Sequence, residues 1–209
     1  MKKLSLLLAV AGVLISYQAS AKDGVYAGAG LLLSKTKYHY NDPSGISVDD
    51  GGFVTKENGH GVGGGAFVGY KKSFDQVFLA PEAFYDYLNT STNDYYHHIP
   101  PYQQDTLNLR SRYGLKANVG YDINQSFSLY ANYGYANVGY ANRWPSDGKS
   151  ESGNRFAAIY GIGGIFNINE NWSVKAEINQ QRFKIPATGD AAYSKVRLNV
   201  LQTSLAYNF

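Results

Sequence analysis

Cysteine is absent from this sequence of 209 residues, and its absence excludes disulfide frameworks, cysteine-based zinc sites and thiol catalysis. Long apolar runs are also missing. The longest one, Leu4 to Ile15, is interrupted twice and is shorter than the roughly 20 residues that a membrane-spanning helix needs. Neither sign of charge dominates, with 19 basic and 16 acidic residues. A nucleic-acid partner, which would require a basic patch, is therefore not expected.

The N-terminus has the pattern of an export signal. Lys2 and Lys3 supply a positive start, the apolar run follows, and Ala19-Ser20-Ala21 forms a small-residue cleavage site. We predict a signal peptide over residues 1–21 and a single domain over residues 22–209. Without the signal, the balance of charge is 17 basic to 16 acidic residues.

Apolar residues alternate with polar ones in eight segments after residue 22. Because successive side chains of a strand point to opposite sides, each segment is predicted to be a strand with an apolar outer face and a polar inner face. In the fourth segment we expect Leu107 and Leu109 to face outward and Arg110 to face inward. Glycine on the inner face of the first two segments should make room for bulky inward side chains; these positions are Gly28, Gly30, Gly61, Gly63, Gly65 and Gly69.

Two positions interrupt the alternation. Pro81 cannot donate a hydrogen bond within the third segment, which predicts a β-bulge there. In the last segment the alternation reverses at Val200: the apolar residues before it and those after it lie on opposite faces of the strand. This reversal indicates either a second bulge or emergence of the strand from a membrane.

Charged residues lie on the predicted inner face, with opposite signs on neighbouring segments. The interior of an eight-stranded barrel is just wide enough for side chains to fill. We therefore predict a lumen charge network that plugs the barrel through salt bridges, and a charge-lined pore is the alternative. The network consists of Glu82, Asp86, Arg110, Arg112, Lys116, Lys175 and Glu177.

The connections between the segments alternate between short and long. Two short ones repeat at a spacing of 45 residues, with Asp122-Ile123-Asn124 matching Asn167-Ile168-Asn169, and the long ones cover residues 41–59, 89–105, 142–154 and 186–194. A soluble β-sandwich also alternates, but it would bury the face that is charged here. We predict an all-β fold, an eight-stranded antiparallel transmembrane β-barrel of the outer-membrane type, with its long loops facing outside.

Tyrosine is concentrated near the second long connection. Tyrosine combines a rigid apolar body with a polar tip, which suits recognition loops. The candidate loop binding surface consists of Tyr95, Tyr96, His97, His98, Tyr102 and, from the third loop, Trp144. The alternative is that these residues order the loop itself or belong to the outer aromatic girdle.

Histidine, serine and aspartate near the loops are the only candidates for catalysis, as in a lipid-modifying enzyme: His39, His60, Ser91, Asp94, His97 and His98. Their spacing is not typical of a nucleophile with its base and orienting group. No catalytic site, cofactor or metal site is therefore predicted.

The signal peptide, the eight segments, the repeated turns and the terminal Tyr207-Asn208-Phe209 carry a family resemblance. Over its whole mature length the chain resembles the outer-membrane β-barrel domain family, which includes opacity-type surface proteins and small barrels like OmpA and OmpX. In that family the terminal aromatic is similar to the signal read by the barrel-assembly machinery, which maps here onto Tyr207 and Phe209.

The resemblance implies a bacterial outer-membrane location, with outer-membrane lipid, lipopolysaccharide and the barrel-assembly machinery as partners. A host or extracellular ligand could bind through the loops. We expect a non-enzymatic role in adhesion, surface interaction or envelope structure. The first alternative is a narrow porin-like channel for small solutes, and the second is a lipid-modifying enzyme.

Overall fold

A computed structural model describes the chain at residues 23–41, 56–95, 104–144, 149–186 and 193–209. Within these ranges the chain forms eight strands: β1 (Gly24–Asn41), β2 (Lys56–Phe74), β3 (Val77–Tyr95), β4 (Gln104–Asp122), β5 (Phe127–Trp144), β6 (Lys149–Asn167), β7 (Trp172–Pro186) and β8 (Tyr193–Asn208). Over the same ranges, the chain has no helix of the length and apolar character that crossing a membrane requires.

The eight strands form one closed antiparallel barrel in chain order. β1 and β8 close it through 16 paired positions, from Tyr26 opposite Asn208 to Asn41 opposite Tyr193. Lipid cannot hydrogen-bond to free backbone groups, so a strand pair that joins the two ends of the sheet removes edges that would be costly in a membrane. The predicted fold class is confirmed.

Short turns gather at one end of the barrel, which we call the turn end, and the opposite end is the loop end. In two of these turns an asparagine side chain accepts a backbone hydrogen bond from the first residue of the next strand. The distance is 2.9 Å from Phe127 N to Asn124 Oδ1 and 2.8 Å from Trp172 N to Asn169 Oδ1. An asparagine in this position mimics one step of a backbone turn, so the repeat in the sequence is also a repeat in structure.

The outer face of the half of the barrel near the turn end, the turn half, is apolar on every strand. We call this surface the apolar belt; its exposed side chains include Val25, Leu31, Leu33, Val62, Val68, Leu79, Tyr85, Tyr87, Tyr113, Leu115, Val119, Leu129, Tyr133, Tyr135, Phe156, Ile162, Ile178, Leu201 and Leu205. Soluble monomers rarely expose apolar patches larger than a few hundred Å². A belt that encircles the barrel therefore needs the hydrocarbon core of a membrane around it.

Both faces change polarity in the half near the loop end, the loop half. On the outer face Lys35 follows Leu33 along β1, and Asn199 follows Leu201 along β8. On the inner face polar side chains give way to apolar ones such as Leu198. The strands have 15 to 19 residues, whereas roughly 9–11 are enough to span the membrane. The loop half therefore stands outside the hydrocarbon and has the polarity of a soluble barrel.

A β-bulge at Arg110 reverses the parity of β4. Between Leu109 and Ser111 the pairing advances by two residues on β4 but by only one on β5. An extra residue on one strand turns all side chains beyond it to the opposite face. The expectation that Leu107 and Leu109 face outward and Arg110 inward is therefore wrong: the leucines are 5% and 1% exposed, and Arg110 is exposed on the outer face.

The bulge predicted at Pro81 does not occur, and neither does the bulge that was one of the two alternatives for β8. Pro81 lies in register opposite Ala117 of β4, and the ladder between β2 and β3 has no pair at Pro81, where the missing N–H would otherwise be needed. β8 pairs without a shift on both sides of Val200. The reversal in the sequence of β8 therefore marks the change of the inner face from polar to apolar, where the strand leaves the membrane.

Candidate functional site

Four charged side chains form a closed ring across the lumen of the turn half, which we call the charge ring. Lys116 bridges Glu82, with 3.2 Å between Nζ and Oε1, and also contacts Glu177. Lys175 Nζ lies 2.5 Å from Glu82 Oε2 and 3.6 Å from Glu177 Oε2. None of the four side chains is more than 7% exposed. The two positive and two negative charges cancel, and burial of charged groups is tolerated only when they are paired in this way.

Two tyrosines complete the charge ring from β1 and β5. Tyr26 OH donates to one of its carboxylates at 2.9 Å and Tyr130 OH to the other at 2.8 Å. Glycines leave the space that these rings fill, because a Cβ at Gly69 would lie 2.4 Å from the Tyr26 ring and a Cβ at Gly163 would lie 2.3 Å from the Tyr130 ring. The expectation that Gly69 makes room for a bulky neighbour is confirmed.

A second buried ion pair lies nearer the loop end. Arg112 Nε and Nη2 donate to Asp86 Oδ2 at 2.9 and 2.6 Å. The register of β3 and β4 places Asp86 opposite Arg112 and Glu82 opposite Lys116, so one strand pairing creates both contacts. The Phe84 ring lies 5.3 Å from the Arg112 guanidinium carbon and 5.2 Å from Lys116 Nζ, a position that favours both cations.

A third ion pair closes the turn end of the lumen. Lys71 Nζ lies 3.1 Å from Asp122 Oδ2 and 4.4 Å from the centre of the Phe78 ring. A cavity of about 40 Å³ between this pair and the charge ring is lined by Lys71, Phe78 and Lys175, among others. A cavity of this size has room for only a few water molecules.

Apolar side chains fill the lumen of the loop half. We call this group the apolar plug: Leu32, Leu88, Leu107, Leu109, Val138, Tyr140, Phe183, Ile185, Val196, Leu198 and Val200. None of them is more than 7% exposed. Burying each such side chain contributes roughly 1.5–3 kcal/mol, so the plug is the hydrophobic core that supports the part of the barrel outside the membrane.

The wall of the loop half is interrupted between β6 and β7. Within the described residues these strands pair towards the loop end only as far as Ile159 opposite Gln181. Side chains then replace the ladder: Gln181 Nε2 donates to Ala157 O at 3.1 Å, and Arg155 Nε donates to Lys184 O at 3.1 Å. On β7 the free edge begins beyond Ile178, the last residue of the belt on that strand, where water can hydrate it.

The lumen brings together six of the seven predicted network residues: Glu82, Asp86, Arg112, Lys116, Lys175 and Glu177. Arg110 is not among them, because the bulge turns it to the outer face. The polar lumen also contains four residues that were not predicted there: Tyr26, Tyr130, Lys71 and Asp122. Tyr130 lies between the outward-facing Leu129 and Ala131, so alternation places it on the inner face. Together with Gly163, its neighbour on the next strand, this position could have indicated that Tyr130 fills the lumen.

The predicted loop residues lie at strand ends or beyond them. Tyr95 ends β3 opposite Gln104, and Trp144 ends β5 opposite Lys149, because both strands continue further than predicted. Tyr96, His97, His98 and Tyr102 lie outside the described residues.

The catalytic candidates are brought together only in part. His60 of β2 and Ser91 of β3 are directly opposite each other on the exposed outer face, just beyond the belt. His97 and His98 lie outside the described residues, as does the side chain of Asp94. In the part of the chain that is described, no group of three histidine, aspartate or glutamate side chains could hold a metal ion. A hydrolase would also need an acid or amide to orient the histidine.

A closed antiparallel barrel with an apolar belt and a polar lumen defines the class of transmembrane β-barrels. Within that class the chain belongs to the outer membrane protein beta-barrel domain family, whose model matches residues 4–209. This membership confirms the family resemblance and indicates the bacterial outer membrane as the location. No curated protein matches the chain by sequence.

Several solved structures are similar to this chain, and the two with TM-scores above 0.5 share its fold. Neisserial surface protein A (NspA) is 14% identical, with 89% of this chain and 97% of that chain covered and a TM-score of 0.54. OprG from Pseudomonas aeruginosa is 10% identical, with 93% and 99% covered and a TM-score of 0.54. The outer-membrane protease OmpT from Escherichia coli is 10% identical, with 90% and 97% covered and a TM-score of 0.45. Identities this low show the shared fold alone and leave the function to the site.

Proposed function

We propose that this protein is a non-enzymatic outer-membrane barrel with a sealed lumen, which presents its loop end to the cell exterior for adhesion or another surface interaction. The observation that carries the proposal is the filling of the lumen at successive levels. These levels are the Lys71–Asp122 pair, the charge ring, the Asp86–Arg112 pair and the apolar plug. Because the interior is occupied, activity is expected on the outside of the barrel.

The chemistry of these layers opposes conduction. An ion that crosses the charge ring must separate buried partners, and leaving one such partner unpaired costs about 3–5 kcal/mol. Beyond the ring the apolar plug has few polar groups to replace the hydration shell of the ion, and an unsolvated charge there is far more costly. These costs favour a closed barrel over the alternative of a porin-like channel.

The loop half supports a role in display. β1 continues from Lys35 to Asn41 beyond the belt, which corresponds to about 15–20 Å above the hydrocarbon at roughly 3.3 Å per residue and a tilt of about 40°. The apolar plug holds this extension as a folded stalk. The loops, which carry Tyr96, His97, His98 and Tyr102, would therefore stand clear of the lipid headgroups, where a host or extracellular ligand could reach them.

Ion conductance of the refolded protein in a planar bilayer tests the seal. We expect no unitary currents from the wild type, and intermittent leakage from a variant that opens both the charge ring and the apolar plug, Glu82→Ala combined with Leu198→Ser. Arg110→Ala is the matched control, because it removes a charge from the outer face and should stay silent. Stable unitary currents from the wild type would overturn the sealed lumen and support the channel.

Replacement of residues 94–102 by a Gly/Ser linker of equal length tests the binding surface. We expect loss of adhesion to host cells with unchanged folding, which heat-modifiable gel mobility would report. The same replacement at residues 187–192 is the control for a general effect of loop composition. Unaltered adhesion after the first replacement would contradict the binding surface and leave an envelope-supporting role.

The terminal aromatics are proposed as an assembly signal. Tyr207 and Phe209 lie with ring centres 5.0 Å apart, and Phe209 is exposed at the turn-end edge of the belt. Phe209→Ala should reduce the amount of barrel in the outer membrane of cells without changing refolding into vesicles. Phe74→Ala removes another exposed aromatic near the same edge and should have little effect, and equal losses from both variants would contradict a signal at the C-terminus.

Exposure of the loop end to protease on intact cells tests the orientation. A cleavage site introduced at residues 187–192 should be cut in whole cells, whereas a site introduced in the turn at residues 123–126 should be cut only after lysis. The reverse pattern would overturn the proposed orientation.

A further inference from the structure

The opening between β6 and β7 exposes two strand edges that face each other. Beyond Ile159 opposite Gln181, the described residues of these strands form no further pair. β6 nevertheless continues to Lys149, where it is still paired with β5, and β7 continues to Pro186, where it is still paired with β8. On β7 the edge that follows Gln181 ends at Pro186, and this length is close to that of a typical short strand.

The side chain of Arg155 lies across this opening, and we call it the latch. Its Nη1 donates to Asn154 O of the same strand at 2.9 Å, and its Nε donates to Lys184 O of β7 at 3.1 Å. The guanidinium carbon lies 5.2 Å from the centre of the Tyr140 ring, which belongs to the apolar plug. One side chain thus occupies acceptors on both edges, and it can move away without breaking any strand pair.

Backbone groups of several residues point into the opening. Asn154 O faces it, and alternate residues of an antiparallel strand direct their N–H and C=O groups to the same side. The backbone groups of Phe156 and Ala158 therefore face the opening as well. Edges of this kind are templates for another strand. An extended peptide that displaces the latch gains a ladder along both edges, whereas a lipid headgroup or a free ion makes use of neither.

The outer side chains beside the β7 edge are cationic. Arg182 of β7 is opposite Arg197 of β8, which is in turn opposite Lys37 of β1, and all three are exposed. Like charges that face each other on neighbouring strands repel. A strand added on the free side of β7 would place its outward side chains opposite Arg182, where carboxylates offset this repulsion. Its inward side chains would face the apolar plug beside Phe183.

We infer that the opening binds an extended acidic segment of another polypeptide by strand addition, with aspartate or glutamate facing outward and small apolar residues facing inward. The inference goes beyond the proposed loop surface, because no loop residue takes part. It rests on the proposed function only for the side of the membrane from which the partner comes. The edges supply affinity for any extended backbone, and the cations select the acidic one.

Binding of a designed peptide to the refolded full-length protein in phosphatidylcholine nanodiscs tests the site. The probe is a fluorescent heptapeptide in which glutamate alternates with valine, and fluorescence anisotropy measures its dissociation constant. Bound peptide should slow hydrogen exchange at the Phe156 amide. Lysine in place of glutamate should weaken binding by at least about tenfold. Methylation of every second peptide nitrogen should abolish binding, because the ladder loses its donors; equal affinity of the methylated peptide would overturn strand addition.

Two variants of the opening should change the affinity in opposite directions. Arg182→Glu should weaken binding of the glutamate peptide by about tenfold, because an attractive cross-strand pair becomes repulsive. Arg155→Ala should strengthen it by about tenfold, because the two hydrogen bonds of the latch no longer compete. Arg110→Ala is the matched control: it removes an exposed cation from β4 and should change the affinity by less than about twofold.

A folded Arg155→Ala protein that binds no glutamate peptide would overturn the inference, and so would equal losses from Arg182→Glu and Arg110→Ala. Heat-modifiable gel mobility reports the folding of each variant. None of these results would bear on the sealed lumen or on the loop surface, which the conductance and loop-replacement experiments test separately.

A second copy of this chain is the competing occupant of the opening. Sedimentation of the wild type in detergent without peptide should show a monomer. Phe156→Pro removes an N–H that faces the opening and leaves the pairing with β5 intact, so it should reduce peptide binding without unfolding the barrel. A wild-type dimer that Phe156→Pro dissociates would assign the opening to a second copy and overturn the acidic partner.

Discussion

The turn half and the loop half are built from the same eight strands, yet their two faces have opposite polarity. In the turn half apolar side chains such as Leu205 face outward, and charged side chains such as Glu82 and Lys116 fill the lumen. In the loop half Arg197 faces outward and Leu198 fills the lumen. The surrounding medium explains the difference, because each part places its apolar side chains wherever water is absent.

The two halves also differ in what holds them together. Salt bridges and hydrogen bonds across the lumen, packed against the buried rings of Phe67, Phe78 and Phe84, hold the turn half together. The apolar plug holds the loop half as in a soluble protein. The ladder reflects this difference as well, since β6 and β7 stay paired from the turn end up to Ile159 and Gln181 and separate towards the loop end. Four predictions break or sharpen this comparison.

Loss of one cation from the charge ring should have the largest effect. Lys116→Met removes the partner of two buried carboxylates, and we expect the free energy of unfolding to fall by about 3–5 kcal/mol. Urea titration in lipid vesicles measures it. Adding Glu82→Gln to the same chain should restore part of the loss, because the remaining Lys175–Glu177 pair is neutral. A loss below about 1 kcal/mol, of the size typical for exposed pairs, would show that the ring does not hold the turn half together.

Truncation of a leucine should separate the two kinds of core. Leu198→Ala leaves a cavity in the apolar plug, and we expect a loss of about 2–5 kcal/mol in the same urea titration. Leu201→Ala, three residues away on the lipid-facing side, should cost less than about 1 kcal/mol because lipid chains can close over the gap. Equal losses would mean that the loop half does not depend on a packed core.

An outward charge should locate the boundary between the halves. Leu205→Arg places a cation in the middle of the belt and should cost about 2–4 kcal/mol in a bilayer. Asn199→Arg, on the same face of β8 but beyond the belt, should change stability by less than about 1 kcal/mol. If both variants were equally destabilised, the membrane boundary would lie nearer the loop end than the belt indicates.

Loss of an exposed ion pair at the turn end of the barrel should have the smallest effect. Asp23 Oδ2 lies 2.9 Å from Lys72 Nζ, and Asp23 Oδ1 accepts the Ser73 N–H at 2.8 Å. The hydrogen bond from Lys72 holds the pKa of Asp23 below its usual value of 3.8. A carboxylate with a lowered pKa stabilises the folded state above its unfolded pKa, and this contribution disappears as the pH falls through the folded pKa.

Asp23→Asn should therefore be slightly less stable than the wild type near pH 7, and the difference should shrink at acidic pH as the carboxylate of folded Asp23 becomes protonated. Unfolding of the two proteins in parallel at both pH values measures the difference. A difference that persists at the lower pH would assign the effect to the geometry of the side chain rather than to its charge.

The sequence predicts most of the turn half correctly because a period of two is a local property. Glu82, Lys116, Lys175 and Glu177 were placed on the inner face by parity alone, and the register of the strands then brings them within reach. Arg110 shows where parity fails. The bulge that turns it outward arises because β4 must match the register of β5, and a single strand carries no record of its neighbour's register.

The candidate site was predicted less completely than the fold. Tyr26 and Tyr130 are far from the charge ring in the sequence, and only the closed barrel brings their hydroxyl groups to its two carboxylates. A row of cations on the outer face has the same origin, since Lys37, Arg197 and Arg182 belong to three strands that closure places side by side. Neither group has a local pattern from which it could be predicted.

The sequence by itself determined the all-β class, the number of strands, the repeated asparagine turns and the inward position of most buried charges. Each of these follows from alternation or from short-range turn chemistry, in which only neighbouring residues act. The tertiary structure alone decided the bulge at Arg110, the closed charge ring, the apolar plug and the rows of outer cations. These features depend on contacts between strands far apart in the chain, and their geometry exists only once the barrel has closed.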